Sequence, residues 1–296
     1  FNLGTQNNVL TDVQTSNTVN TIALRDDAGF TVGSLSVDTA LTLSTEGTID
    51  QSAVINVPTL TLESAGGSGV FTLNTQANTI TTLTTGASTV DQVAFRDDGG
   101  FAVGTLNATT SAELQSNGTV TQSGIITTGT LTLTSTGGGT GDFQFNTQDN
   151  AIGTVTSSNT VNTALIRDDA GLTVGTLSAD TSVTLSPNGT VDQTGIITTL
   201  TLTAASTGGT GVFDLDTQAN VITTANTSTA VDTLAIRDDG GFALGASQVN
   251  YVVRLQSDGA VTQSGALTGD AAVTLTATNA GNGSFTLDNA GNAIGS

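Results

Sequence analysis

The 296-residue chain contains no His, Cys, Met, Trp or Lys, and its 25 acidic residues outweigh five Arg to give a formal net charge of −20. That balance excludes the clustered basic footprint of a nucleic-acid-binding protein and argues against docking on anionic membrane surfaces. No disulfide or thiolate–zinc staple is available, and no apolar run approaches the ~18 residues of a membrane span, so packing must hold the fold.

Read from its first residue, the chain repeats itself. Phe1, Phe71, Phe143, Phe213 and Phe285 each open a segment like FTLNTQAN. The string Arg25-Asp26-Asp27-Ala28-Gly29-Phe30 follows and returns at Arg96, Arg167 and Arg237, with spacings of 71, 71 and 70 residues. A third landmark is Gln51, repeated as Gln122, Gln193 and Gln263 in segments like GTVTQSG. A fixed period predicts a stacked, quasi-one-dimensional array in place of the two or so domains that length alone suggests. The units run approximately over 1–70, 71–142, 143–212 and 213–284, with a partial fifth at 285–296, in one continuous β-solenoid over 1–296.

Inside each unit the pattern is that of strands. Thr59-Leu60-Thr61-Leu62, the run 130–134 and Thr201-Leu202-Thr203 alternate polar and apolar residues, the mark of a strand with one buried face. Turn formers at 64–69, 136–141, Asn117-Gly118 and Asp258-Gly259 separate the runs. Pro58 and Pro187 fall where a missing N–H is tolerated. In the unit from Thr130 to Thr199 this predicts strands over 131–135, 143–146, 152–155, 163–167, 172–177, 182–186, 190–193 and 196–198. We expect three coils of about 24 residues per unit, each with three strands, four coils of about 18 being the alternative. Successive RDD strings would then form one row, ~14 Å apart. The expected core of this unit is Leu131, Leu133, Phe143, Phe145, Ile152, Val155, Leu165, Leu172, Val174, Leu177, Val183, Leu185, Val191 and Ile196.

The run from Asn117 to Thr127 followed by Thr130-Leu131-Thr132-Leu133-Thr134, and the run from Phe285 to Gly295, resemble repeats in the shafts of filamentous-haemagglutinin-like exoproteins. These are large bacterial surface proteins, often exported by the two-partner route. The resemblance covers essentially the whole chain. It implies an all-β, right-handed parallel β-helix, secretion across the outer membrane and a role in adhesion or biofilm. It carries over no functional residue, because the shaft repeats have no assigned catalytic site.

The most chemical-looking residues are the carboxylate pairs Asp26/Asp27, Asp97/Asp98, Asp168/Asp169 and Asp238/Asp239, the only calcium candidates. Calcium takes six to eight oxygens, more than such a pair offers, and the neighbouring Arg repels a cation. A corner motif, with Arg paired to a carboxylate and Gly completing the turn, is the expected role, and no cofactor is expected. The four repeated Gln could line a polar sugar groove, but supporting a turn is the simpler role. A Thr-based ice-binding face needs Thr-x-Thr on every rung, whereas the clearest set occurs once per unit. Catalysis is not expected, since neither His nor Lys is available for acid–base work. Asp142, Asp149, Asp214 and Asp216, which depart from the repeat, read as solvated corners. Tyr251 and Arg254 occur only in the last unit and read as drift.

The repetition, together with what the resemblance implies, leads to an expectation of a structural shaft of a secreted or cell-surface adhesin or extracellular filament. It would act as a rigid spacer, with a carbohydrate-binding or carbohydrate-cleaving β-helix as the alternative. The expected partners are further repeats of a longer parent chain or other copies, end to end, together with host or matrix glycans. Neither nucleic acid nor membrane insertion is expected.

Overall fold

A computed structural model describes residues 1–279 and 281–295. Those residues form strands and turns, with no helix among them. The chain divides into two compact units, Phe1–Ile152 and Gly153–Ser296.

The first unit is a parallel β-solenoid in which consecutive strands go alternately to two sheets. One sheet runs Asn2–Leu3, Val19–Arg25, Leu35–Ser44, Ile55–Glu63, Thr79–Thr84, Ala102–Val103, Thr119–Gln122, Asp142–Phe145. The other runs Asp12–Val13, Gly29–Val32, Thr48–Gln51, Val70–Leu73, Val90–Arg96, Leu106–Ser116, Ile126–Ser135. A coil takes 19 residues between the paired Val32 and Gln51, and 23 between Thr61 and Thr84. The second unit is built the same way. Gly171–Val174, Thr190–Gln193, Val212–Leu215, Val231–Arg237 and Ser247–Gln256 follow one another in one sheet. Val161–Ile166, Leu177–Leu185, Ile197–Ala204, Val221–Thr227 and Ala243–Leu244 do so in the other. Ala151–Ser157 runs across the division between units.

A solenoid with coils of two main strands replaces the three-stranded coil expected from sequence. The apparent third strand is one arm of a bent one. Leu35–Ser44 breaks register between Ser36 and Ala40, and Leu106–Ser116 between Ala108 and Ser111, with exposed residues at each bend. The repeat therefore spans seven strands, not eight or nine. Gly29–Val32 and its counterpart Ala102–Val103 are seven strands apart and, seven being odd, lie in different sheets. The same holds in the second unit for Gly171–Val174 and Ala243–Leu244. A sequence period is thus three and a half coils, which corrects the expected single row of RDD strings. Within each unit the two copies end strands of opposite sheets.

Inward side chains stack in register. Ile49, Phe71, Val93, Ala112 and Leu131 form one continuous file, and Leu41, Leu60 and Leu83 another. Phe71, Phe95, Phe143, Phe145 and Phe213 are fully buried, and Phe95 meets Phe101 edge-on at 5.1 Å. Each such residue contributes roughly 1.5–3 kcal/mol before the entropy of ordering is charged. The expected core residues are buried except two. Leu165 faces outward because the register break after Val161 turns Ala164 and Ile166 inward. Ile196 is 42% exposed in the corner before Ile197, which takes the inward place.

Glycine is demanded where coil corners press together. Gly100 has φ +89°, and a Cβ on it would lie 2.4 Å from the Thr119 carbonyl oxygen of the next coil. Gly118, on that next corner, would likewise strike the Gly99 carbonyl at 2.3 Å. The turn after each RDD string therefore sits on the NGT-type turn of the following coil with only backbone between them.

Candidate functional site

The RDD string splits its two carboxylates between separate tasks in the corner that follows its strand. The first is buried. Asp26 accepts the N–H of Ala28 at 2.9 Å and of Leu10 in the preceding coil at 2.5 Å. Asp97 accepts Gly99 at 2.8 Å and Ile80 at 2.7 Å; Asp238 accepts Gly240 at 2.8 Å and Ile222 at 2.6 Å. Asp168 accepts Ala170 at 3.1 Å. The second carboxylate faces outward beside the Arg, which grips it with two nitrogens. Arg25 donates to Asp27 at 2.8 and 3.0 Å, Arg96 to Asp98 at 2.9 and 2.8 Å, and Arg167 and Arg237 each hold Asp169 and Asp239 at 3.0 and 2.7 Å. The hydroxyls of Thr136, Thr207 and Thr278 add a third donor to Asp98, Asp169 and Asp239.

The electrostatics follow. Hydrogen bonding from the guanidinium holds Asp98, Asp169 and Asp239 below the ordinary Asp range. Burial pushes Asp97 and Asp238 above it, against the pull of their backbone donors. Each of the eight candidate calcium carboxylates is either paired to Arg or capped by N–H groups. Among the described residues no group of three or more His, Cys, Asp or Glu is placed to hold a metal ion.

The Gln landmark meets the Phe-led landmark one coil later. Gln51 donates to the Ala53 carbonyl at 2.9 Å and to Asn78 Oδ1. Asn78 is buried; its Oδ1 also accepts Ile55 N–H at 2.9 Å, and its Nδ2 donates to the carbonyls of Leu73 at 2.9 Å and Arg96 at 3.0 Å. One side chain therefore ties three consecutive coils, and the coil above it carries the RDD string. Gln193, Asn220 and Arg237 repeat this in the second unit. Gln122 with Asn150, and Gln263 with Asn292, form the same pair. The repeated Gln thus support corners. Their Asn partners were missed in the sequence, although Asn78, Asn150, Asn220 and Asn292 recur at one place in the Phe-led segment.

A third polar hub was also missed. Glu46 accepts Gly66 N–H at 2.7 Å and the hydroxyls of Ser64 and Ser68 at 3.0 and 2.9 Å, so it organises the glycine-rich loop of the next coil. Burial acts to raise its pKa, but these donors together hold it below the ordinary Glu value. Asn117 and Asn188 do the same work with an amide: Asn188 Oδ1 accepts Ser206 Oγ at 3.0 Å and the N–H of Gly208.

An ion-pair cluster outside the repeat lies in the second unit. Arg254 reaches over Ala235 to Asp214 at 2.6 Å and Asp216 at 3.0 Å, and Gln256 donates to Asp216 at 3.0 Å. Asp214 and Asp216 are therefore salt-bridge partners and not the solvated corners expected, and Arg254 is more than drift. Tyr251, on the same strand, is 66% exposed. Two of the shallow grooves repeat one another: one of about 270 Å³ is lined by Thr89, Asn107 and Gly129, and one of about 240 Å³ by their counterparts Thr160, Ser178 and Leu200. Thr-x-Thr rungs stack only briefly: Thr59 and Thr61 pair with Thr82 and Thr84, after which Ala102 succeeds Thr82.

A family model described as "Repeats of unknown function (DUF5649)" matches residues 18–87, 88–159 and 231–296, more than half of the chain. No curated protein and no solved structure matches it.

Proposed function

The chain belongs to the DUF5649 family of repeats of unknown function, and within it we propose that this protein is the structural shaft of a filamentous-haemagglutinin-like adhesin or extracellular filament. The observation that carries this reading is the fate of the repeated polar motifs. RDD, through the buried Asp that accepts an N–H of the preceding coil, the Gln–Asn pair and the Glu46-type hub all bond coil to coil, around a file of buried aliphatic and Phe side chains. What recurs is what holds one coil to the next, as a spacer requires.

In this reading the protein is not an enzyme. The non-repeated carboxylates Asp214 and Asp216 are both engaged by Arg254, an arrangement that suits a structural ion pair better than a free acid and base. The proposed setting is the bacterial cell surface or the extracellular space. The acidic surface, at −20 overall, keeps such repeats soluble and mutually repelling. The proposed partners are further repeats or further copies, end to end, and glycans of a host or matrix. Negative-stain microscopy of native material tests the proposal: unbranched fibres are expected, and compact discrete particles would overturn it. Turnover of a neutral or acidic glycan, lost when Asp214 or Asp216 is changed to Asn, would instead establish the carbohydrate-active alternative.

A further inference from the structure

The chain contains three Asn-Gly steps, Asn117-Gly118, Asn188-Gly189 and Asn282-Gly283. This dipeptide is chemically labile because Gly offers little steric hindrance to attack by its own amide nitrogen on the preceding side chain. The reaction forms a bond from the Gly N to the Asn Cγ and breaks the Cγ–Nδ2 bond. Ammonia leaves, taking up the proton that the Gly amide gives up. Water then opens the five-membered imide at either carbonyl to give aspartate or isoaspartate. Attack needs a side chain free to swing its Cγ onto the next nitrogen, so a fold that pins the amide suppresses it.

Two of the three steps are pinned. Asn117 Oδ1 accepts Thr140 Oγ1 at 3.1 Å, and Gly118 N–H is held by Ser116 Oγ at 3.0 Å. Asn188 Oδ1 is gripped by Ser206 Oγ and Gly208 N–H, and its carbonyl accepts Thr210 Oγ1 at 3.2 Å. A Cβ on Gly137 would collide with the Asn117 amide, which shows how tightly the next loop closes over that side chain. Asn282 is exposed, and neither its side chain nor Gly283 N–H makes a hydrogen bond among the described residues. The turn before it bends through Gly281 at φ +74°. In the chain's repeat, this loop follows Asp258 as the pinned loops follow Asn117 and Asn188. Asp258 bonds the N–H of Asn279 and leaves Asn282 outside the hub.

We propose that Asn282 is a site of spontaneous deamidation and isoaspartate formation in the folded protein, and that the coil-to-coil hubs protect Asn117 and Asn188 from the same chemistry. Conversion adds one negative charge and, in the isoaspartyl product, one backbone methylene at residue 282, separated from the strand Ser284–Phe285 by Gly283 alone. That strand is held to the preceding coil through Ser284 N–H to Gly259 at 3.1 Å and Thr286 N–H to Val261 at 2.9 Å. The modification therefore acts on the pairing of this strand.

The test is to age the purified chain in mildly alkaline buffer, digest it with a protease of broad specificity and follow the amide-to-acid mass gain at each Asn. A parallel sample is aged in denaturing urea. Folded, Asn282 should convert at least about tenfold faster than Asn117 and Asn188, the ratio an opening free energy of about 1.4 kcal/mol imposes. Unfolded, the three rates should converge. Conversion at Asn117 or Asn188 matching that at Asn282 in the folded sample would overturn the proposal. So would a difference that persists in urea, which would place the selectivity in local sequence and not in the fold.

Discussion

Replacing Asn78 with Ala removes the side chain that ties three coils of the first unit together. Asn78 Oδ1 accepts Ile55 N–H at 2.9 Å and the Gln51 amide, and its Nδ2 serves the carbonyls of Leu73 and Arg96. After the substitution the Arg96 carbonyl keeps the Asn78 backbone N–H at 3.1 Å, and Gln51 Nε2 keeps the Ala53 carbonyl at 2.9 Å. Ile55 N–H and Gln51 Oε1 lose the partners that Asn78 supplied, and the Leu73 carbonyl loses its Nδ2 donor. A buried group left unsatisfied costs about 1–3 kcal/mol, so the first two alone predict a loss of about 2–6 kcal/mol. In a quasi-one-dimensional stack that loss falls on the neighbouring coils first. The assay is therefore local. Hydrogen exchange at the Ile55 amide should accelerate by orders of magnitude, together with a drop in the urea midpoint. The control is Asn74→Ala, which loses a single partly buried 3.2 Å bond to Glu113 and should cost about 1 kcal/mol. If Asn78→Ala costs no more than Asn74→Ala, the three-coil tie is not a source of stability and the reasoning fails.

Gly100→Ala forces a Cβ into the Thr119 backbone at φ +89°, and should destabilise by more than the ~1–2 kcal/mol that a left-handed backbone alone costs a residue with a side chain. Gly86→Ala, at φ +57° with open space around it, should stay near that figure, and equal losses in urea denaturation would refute the close corner stacking. Asp98, Asp169 and Asp239, held low by Arg, contribute stability that is present above the ordinary Asp range and lost as pH falls through their lowered values. Asp97 and Asp238, raised by burial, contribute with the opposite sign, favouring the fold below the unfolded value and losing that contribution as pH rises through their own. The urea midpoint should therefore rise slightly on mild acidification before it falls, and a monotonic decline from neutral pH would contradict this pairing of signs. Calcium or EDTA should leave the melting temperature unchanged, because N–H donors and Arg already engage the RDD carboxylates; a rise with calcium, checked by calorimetry, would reverse that assignment.

Much of the fold was legible because period two and period ~71 are both local signals. The buried phase of Leu131, Leu133, Val183 and Leu185 follows directly from alternation with Thr and Ser. What failed was the counting of strands. Alternation continues through the bend in Leu106–Ser116, so nothing in the composition says whether Leu106 and Leu114 belong to one strand or two. Leu165 was misplaced for a related reason: the register slip after Val161 arises from pairing with Leu177–Leu185, a partner that sequence alone does not reveal. The Arg–Asp pairing was readable because its members are two residues apart. The Gln51–Asn78 pair, 27 residues apart, was not.

The odd strand count leaves these contacts intact. With seven strands per period, each segment sits in one sheet in one repeat and in the other sheet in the next, yet its neighbours are always the strands two places before and two places after it. Gly29–Val32 lies between Asp12–Val13 and Thr48–Gln51, and its counterpart Ala102–Val103 lies between Thr79–Thr84 and Thr119–Gln122. Val13 pairs with Val32 as Leu83 pairs with Val103, and Val32 pairs with Gln51 as Val103 pairs with Gln122, so both copies meet the same kinds of neighbour below and above. Corner chemistry such as the RDD turn beneath the NGT-type turn can then be kept in every copy, as Gly29, Gly100, Gly171 and Gly241 all are with positive φ. A half-integral number of coils per period thus carries each motif from one sheet to the other without changing what it packs against.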